Sequence, residues 1–254
     1  GTGTAYNDGE QVNIDADLTL YAQWTANTYT VNYSYNGATA GNDNSSATFT
    51  TAGAAINLPT PSRTGYTFGG WYVSNVFSGS ALGATYSPTT NTTIYAKWNP
   101  VAYTITYAAT DGTGAAPVDA ATYNYQQSAT IKANTTLTRT GWEFAGWVID
   151  PTDGTETPKN AGDTIQFGAA NITLEPKWTA KTYTVTYNLN GATGGALPLA
   201  SETFTTGDAN LDLPNVGTMV KLGHTFGGWS DTPTGAAVAD SFSTTEDVTL
   251  YAVW

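Results

Sequence analysis

Apolar and polar residues alternate with a period of two at three places that open alike. Tyr183, Val185, Tyr187 and Leu189 share one face, and Thr184, Thr186 and Asn188 the other. Tyr29, Val31, Tyr33 and Tyr35 repeat the pattern, as do Tyr103, Ile105, Tyr107 and Ala109. This is the period of a half-buried strand. Closing segments alternate likewise, with Ile94, Ala96 and Trp98 facing away from Thr93, Tyr95 and Lys97. Residues 47–50 form a second candidate strand, matched by 202–205 and more loosely by 122–125. A turn-rich passage follows, with Pro59 and Pro61 in one instance and Pro214 in another. A block of Gly-aromatic-x-Phe-(Gly/Ala)-Gly-Trp at residues 65–71, 141–147 and 223–229 then enters a third strand. No stretch sustains a 3.6-residue period, so any helix is short, and strands so clearly two-faced suit a sheet with one face buried.

The order of these segments repeats, which makes the chain a tandem array of one small domain. Residues 25–98, 99–178 and 179–254 are read as three complete copies. Residues 1–24 are read as the closing part of a further one, because Leu18, Leu20, Tyr21, Ala22 and Trp24 match Val248, Leu250, Tyr251, Ala252 and Trp254. The chain is thus expected to be a stretch of something longer. The joints are short, and Pro100 stiffens one of them, so neighbouring modules should be held in restricted orientations. Pro176, inside a closing strand, demands an unpaired backbone position there.

A domain of roughly 75 residues lies near the lower limit for a self-sufficient core. With no Cys to staple it, it must be dense in large side chains, and the chain carries 16 Tyr, 8 Trp and 8 Phe. Trp71, Trp98, Trp147, Trp178, Trp229 and Trp254, with Phe68, Phe144 and Phe226, are the expected structural core. A net charge of -12 with only 8 Lys plus Arg argues against nucleic acid, whose phosphates need clustered positive charge. It argues equally against docking on anionic membranes. No apolar run approaches the ~20 residues of a membrane span, so no membrane insertion is expected within this segment. A surface rich in Thr, Asn, Ser and Gly suits a secreted bacterial surface protein.

The repeated blocks resemble the Listeria-Bacteroides repeat, also called the internalin B-repeat. The matching features are Tyr-Thr-Val-x-Tyr at the opening of a copy, Gly-Tyr-Thr-Phe-Gly-Gly-Trp in the middle and Thr-Ile-Tyr-Ala-Lys-Trp at the close, and they span essentially the whole chain. The resemblance implies a mainly β, small α+β architecture of tandem β-grasp-like domains. Each would be a small mixed sheet, its first and last strands adjacent and parallel, wrapped over a short helix or helical turn. It brings no catalytic residues.

Few residues invite chemistry. His224, the only histidine, occupies the aromatic slot of Tyr66 and Trp142, so a packing role outweighs that of a general base. Arg63, Arg139 and Lys221 recur two positions before the block and are expected to hold an acid or the carbonyls of a turn, ahead of binding an acidic ligand. Residues 150–156 place three acids in a turn that a hard cation could accept, although a solvated loop is the simpler reading. Lys97 and Lys177 could in principle form isopeptide links, but Gln23 and Val253 replace them elsewhere. The Thr-rich face suits a strand better than a glycan or ice surface. No catalytic residue, metal or cofactor is therefore expected.

The sequence points to a non-enzymatic stalk or adhesin segment of a secreted bacterial cell-surface protein, its modules acting as a spacer. Alternatives are modules that bind a glycan or host protein, and a self-associating filament subunit. If the modules bind, the segments between the block's Trp and the closing strand, residues 72–91, 148–170 and 230–246, should carry the specificity.

Overall fold

The computed structural model describes residues 3–150, 152 and 155–254. The chain divides into two compact units, residues 1–99 and residues 100–254. It is mainly β, and no helix occurs among the described residues.

The first unit holds β1 (Thr28–Ser34), β2 (Ser46–Thr50), β3 (Ile56–Asn57), β4 (Tyr66–Tyr72), β5 (Thr85–Tyr86) and all but the last residue of β6 (Thr92–Pro100). Four of them form a sheet in the order β2-β1-β6-β4. β1 and β2 are antiparallel, whereas β1 and β6 lie side by side in parallel, with Val31 opposite Thr92. β3 and β5 make a separate two-stranded ribbon.

The second unit carries the other two copies. The first of them contributes β7 (Ile105–Tyr107), β8 (Ser128–Thr130), β9 (Trp142–Val148), β10 (Thr164–Gln166) and β11 (Ile172–Ala180). β12 (Thr182–Asn188), β13 (Ser201–Thr205), β14 (Leu211–Asp212), β15 (Gly228–Ser230), β16 (Ser241–Phe242) and β17 (Val248–Val253) follow. The last copy rebuilds the four-stranded order as β13-β12-β17-β15, with a β14-β16 ribbon. The middle copy has three strands, β7-β11-β9, and a β10-β8 ribbon. Its expected second strand at 122–125 is reduced to one bridge between Tyr103 and Tyr123. Tyr123 stacks flat on Phe167 at 4.7 Å and donates its hydroxyl to Asp119, which draws this segment toward the ribbon and away from the sheet edge.

The sheet order thus places the opening and closing strands side by side and parallel in each module, as the family resemblance implies. The implied helix has no counterpart among the described residues. Each module buries its own cluster, centred on Val31, Trp71 and Ile94, on Ile105, Trp147 and Leu174, or on Val185, Trp229 and Leu250.

Two glycines of the repeated block are required by backbone geometry. Gly65, Gly141 and Gly223 have φ of 80°, 79° and 75°, at a turn where the following N–H returns to Arg63, Arg139 or Lys221. Gly70, Gly146 and Gly228, just before the Trp, have φ of 99°, 126° and 113°. There a Cβ would come within 2.9 Å of Ala81, 2.7 Å of Pro158 or 2.9 Å of Ala237. Only glycine is comfortable in both situations.

Pro176 is accommodated for a simple reason. Its neighbour across the pair is Trp147, whose N–H and C=O are both taken by Lys159. The two therefore face each other without exchanging hydrogen bonds, and on the other side the pairing with β7 has ended at Leu174.

Candidate functional site

The nine aromatic residues singled out from the sequence form one arrangement built three times. Phe68 lies 5.8 Å from Trp71 and 5.4 Å from Trp98, Phe144 5.1 Å from Trp147 and 5.8 Å from Trp178, and Phe226 5.4 Å from Trp229 and 5.8 Å from Trp254. Most of these contacts are edge-to-face, the geometry that the ring quadrupole favours. Trp71, Trp147 and Trp229 are fully buried, while the phenylalanines and the closing tryptophans are half-buried.

Both kinds of Trp are also anchored by their indole N–H, a role that alternation alone does not reveal. Trp71 donates to the carbonyl of Pro59, Trp147 to that of Lys132 and Trp229 to that of Pro214, at 2.7, 3.1 and 2.7 Å. The turn-rich passage is thereby tied down over the ring. Trp98, Trp178 and Trp254 donate to the carbonyls of Tyr35, Thr110 and Leu189. Each of these carbonyls immediately precedes a residue of positive φ, namely Asn36, Asp111 or Asn190.

That turn is where the recurring basic residues act. Arg63 donates to the carbonyl of Asn36 at 3.0 Å and lies 4.0 Å over the ring of Tyr66. Arg139 pairs with Asp111 at 3.6 Å and covers Trp142 at 4.3 Å. Lys221 reaches the carbonyl of Asn190 at 3.4 Å. An ammonium has one compact head where guanidinium offers a broad fork, so the arginines span both turn and ring.

A third pin had no forecast. The side-chain carbonyl of Asn91 or Asn171, or the carboxylate of Asp247, accepts the N–H of Thr30, Thr104 or Thr184 at 2.8 to 2.9 Å. The signal in the sequence is an Asn or Asp just before each closing strand, and Asp17 holds the same place before Leu18.

His224 is exposed and not packed as its aromatic slot suggested. Its Nδ1 lies 2.9 Å from the carbonyl of Leu222. Within residues 150–156, Asp150 accepts from Thr152, and Glu156 from the N–H groups of Ile149 and Asp150. Pro151, Asp153 and Gly154 lie outside the described residues. Lys97 sits 5.3 Å over the ring of Tyr72. Among the described residues, no cluster of three or more His, Cys, Asp or Glu is placed to hold a metal ion.

Several tyrosine phenols are perturbed. Burial pushes Tyr187 well above the usual tyrosine range, and its hydrogen bond to Glu202, together with that carboxylate's charge, pushes it further. Burial raises Tyr107 as well, opposed by the N–H that Lys132 donates to its oxygen. The variable segments are partly structured, because β5, β10 and β16 lie within them and pair back to their modules.

Two curated relatives, both from Evansella cellulosilytica, align over nearly the whole chain. One, provisionally named a membrane protein, is 29% identical over 97% of this chain and 36% of its own length. The other, provisionally named a Gly-rich membrane protein, is 28% identical over 100% of this chain and 28% of its own. The chain thus spans about a third of the length of these relatives. No helix among the described residues is long and apolar enough to cross a membrane. No solved structure matches the chain. The model of the Listeria-Bacteroides repeat domain matches residues 29–97, 103–176 and 183–253, and with its Gly-aromatic turns, indole anchors and parallel opening and closing strands built three times over, the chain belongs to that family.

Proposed function

We propose that this chain is a non-catalytic stalk segment of a bacterial cell-surface protein, in which β-grasp-like modules add length and carry adhesive parts away from the cell. One observation carries the reading. The Trp, basic and Asn or Asp residues that recur in every copy have structural partners inside their own module, so their recurrence is accounted for by the fold. The Trp indoles hold turn carbonyls, the basic residues brace the Asx turn and the Asn or Asp before the closing strand caps the opening one. An extracellular location at the envelope is supported by the family and by relatives named as membrane proteins. The absence of Cys and the scarcity of positive charge suit such a surface better than a nucleic-acid partner.

The test is to display the chain on cells and delete residues 99–178. A spacer loses reach, read as the distance between the cell wall and a label at the far end, and it keeps the same null result on glycan arrays and host-protein screens. Saturable binding that moves with a transplanted segment 230–246 makes the modules binders and overturns the spacer reading.

A further inference from the structure

In the second unit, one module holds the next through a single residue and a turn. Lys181 lies between the end of β11 and the start of β12. Its N–H donates to the carbonyl of Gly141 at 2.9 Å, and its own carbonyl accepts from Thr206 N–H at 3.0 Å. Two folded modules are thus hydrogen-bonded to one linking residue. The turn after β13 then rests on the Gly-aromatic block of the preceding module. A Cβ on Gly141 would stand 2.6 Å from Thr206 Oγ1 and 2.8 Å from its Cγ2, and one on Gly207 would meet Trp142 at 3.6 Å. Gly141 is buried, and Thr206 Oγ1 is buried without a hydrogen-bond partner among the described residues. Burying a hydroxyl unpaired is unfavourable, so the contact is held by close packing and by the backbone bonds on either side of Lys181.

The last copy presents the same face uncovered. Its turn is the same, with His224 N–H returning to Lys221 as Trp142 N–H returns to Arg139, but a Cβ on Gly223 meets nothing within 4 Å. Gly223 and His224 are exposed. Beside them opens a surface groove of about 460 Å³ whose apolar lining comes from Val216, Met219, Val220, Leu222, Phe226 and Trp254. Leu222 is 86% exposed at its rim. The complementary part also recurs. The turn after β2 carries Thr51 where the turn after β13 carries Thr206, and Thr51 N–H bonds the carbonyl of Asn27 at 3.0 Å as Thr206 bonds Lys181.

We propose that the Gly223–His224 face is a socket for the opening hairpin of a further repeat module joined through its first strand. A Thr of the Thr-Thr-Gly or Thr-Thr-Ala turn seats over Gly223, and the residue before the incoming strand donates its N–H to the Gly223 carbonyl. The occupant is a module of this family because the equivalent face, one module earlier, already holds one. The inference deepens the spacer reading, and its failure is separable: a flexible joint removes the socket yet leaves a chain that lengthens with every module.

The test extends the full chain with a second copy of residues 179–254 placed directly after Trp254, and follows amide hydrogen exchange and the His224 ring signals by NMR. The expected result is that the appended counterpart of the Lys181 amide exchanges as slowly as Lys181 itself, on the order of tenfold or more below an exposed linker amide, and that the His224 signals shift. Gly223→Ala, which also strains the turn at φ 75°, should return that amide to fast exchange in the extended chain, while in the unextended chain it should leave the core amides of Val185 and Leu250 protected, which separates a blocked joint from an unfolded module. Fast exchange at the appended joint, slow exchange that survives Gly223→Ala, or an appended module with an unprotected core would each overturn the socket.

Discussion

Residues 18–24 and the run from Val248 to Trp254 carry nearly the same strand sequence and have opposite fates. Leu250 and Ala252 are completely buried between β12 and β15, whereas Leu20 is 63% exposed and Trp24 92% exposed, with no strand pairing. Trp254 packs on Phe226 and donates to Leu189. The difference lies in the partners. A closing strand is the central strand of its sheet, and among the described residues no opening or block strand stands beside residues 18–24 to cover their apolar face. An amphipathic strand is therefore a request for neighbours rather than a stable element in itself.

The sharpest way to break the comparison is to make β17 resemble the leading segment by removing its support. Trp229→Ala takes out the ring that Phe226 and Tyr187 pack against and should cost about 3 to 5 kcal/mol. That is most of the stability of so small a domain. Thermal unfolding should show this copy melted and the first unit unchanged; a loss below about 1 kcal/mol would mean the ring carries little of the core.

A smaller effect is expected at the turn that ties the opening strand to β17. Asn190 donates to the carbonyls of Ala252 and Pro233, both at 2.8 Å, with φ of 48°. Asn190→Ala loses both bonds and the left-handed tolerance of Asn, for a cost of about 1 to 3 kcal/mol in chemical denaturation. If stability is unchanged, the turn is not what holds the two central strands in register.

Alkaline pH should weaken the hold of β12 on its other neighbour, β13. Tyr187 holds its proton more tightly folded than unfolded, because it is buried and faces Glu202. Its contribution is complete below pH 10 and is lost as pH rises beyond it, by at most about 1.4 kcal/mol per pH unit. Denaturation midpoints measured between pH 8 and 11 should fall more steeply for the natural chain than for Tyr187→Phe. Equal slopes would show that this phenol does not report folding.

The smallest effect separates the two closing segments directly. Asp247→Ala frees the N–H of Thr184 and should cost about 1 kcal/mol. Asp17→Ala, at the same place before the unpaired segment, should change nothing beyond about 0.5 kcal/mol. A comparable loss at Asp17 would show that the leading segment is paired in solution.

Alternation, the thrice-repeated block and the density of aromatics determined by themselves that this is a tandem array of mainly β modules with Trp and Phe in their cores. Strand period and repeat spacing are local properties, written directly in the order of side chains. Only the tertiary structure decided the rest. Residues 122–125 look like a strand, yet their ladder shrinks to one bridge because Tyr123 finds Phe167 and Asp119 instead. His224 occupies an aromatic slot, yet stands exposed beside an open groove while Trp142 lies against the turn of the next module. The Asn or Asp before each closing strand gives no sign of its task until folding brings it to an N–H about 60 residues away in the chain. Hydrogen bonds and packing between distant segments depend on which surfaces meet, and a one-dimensional pattern fixes which face of a strand is apolar but not what that face will meet.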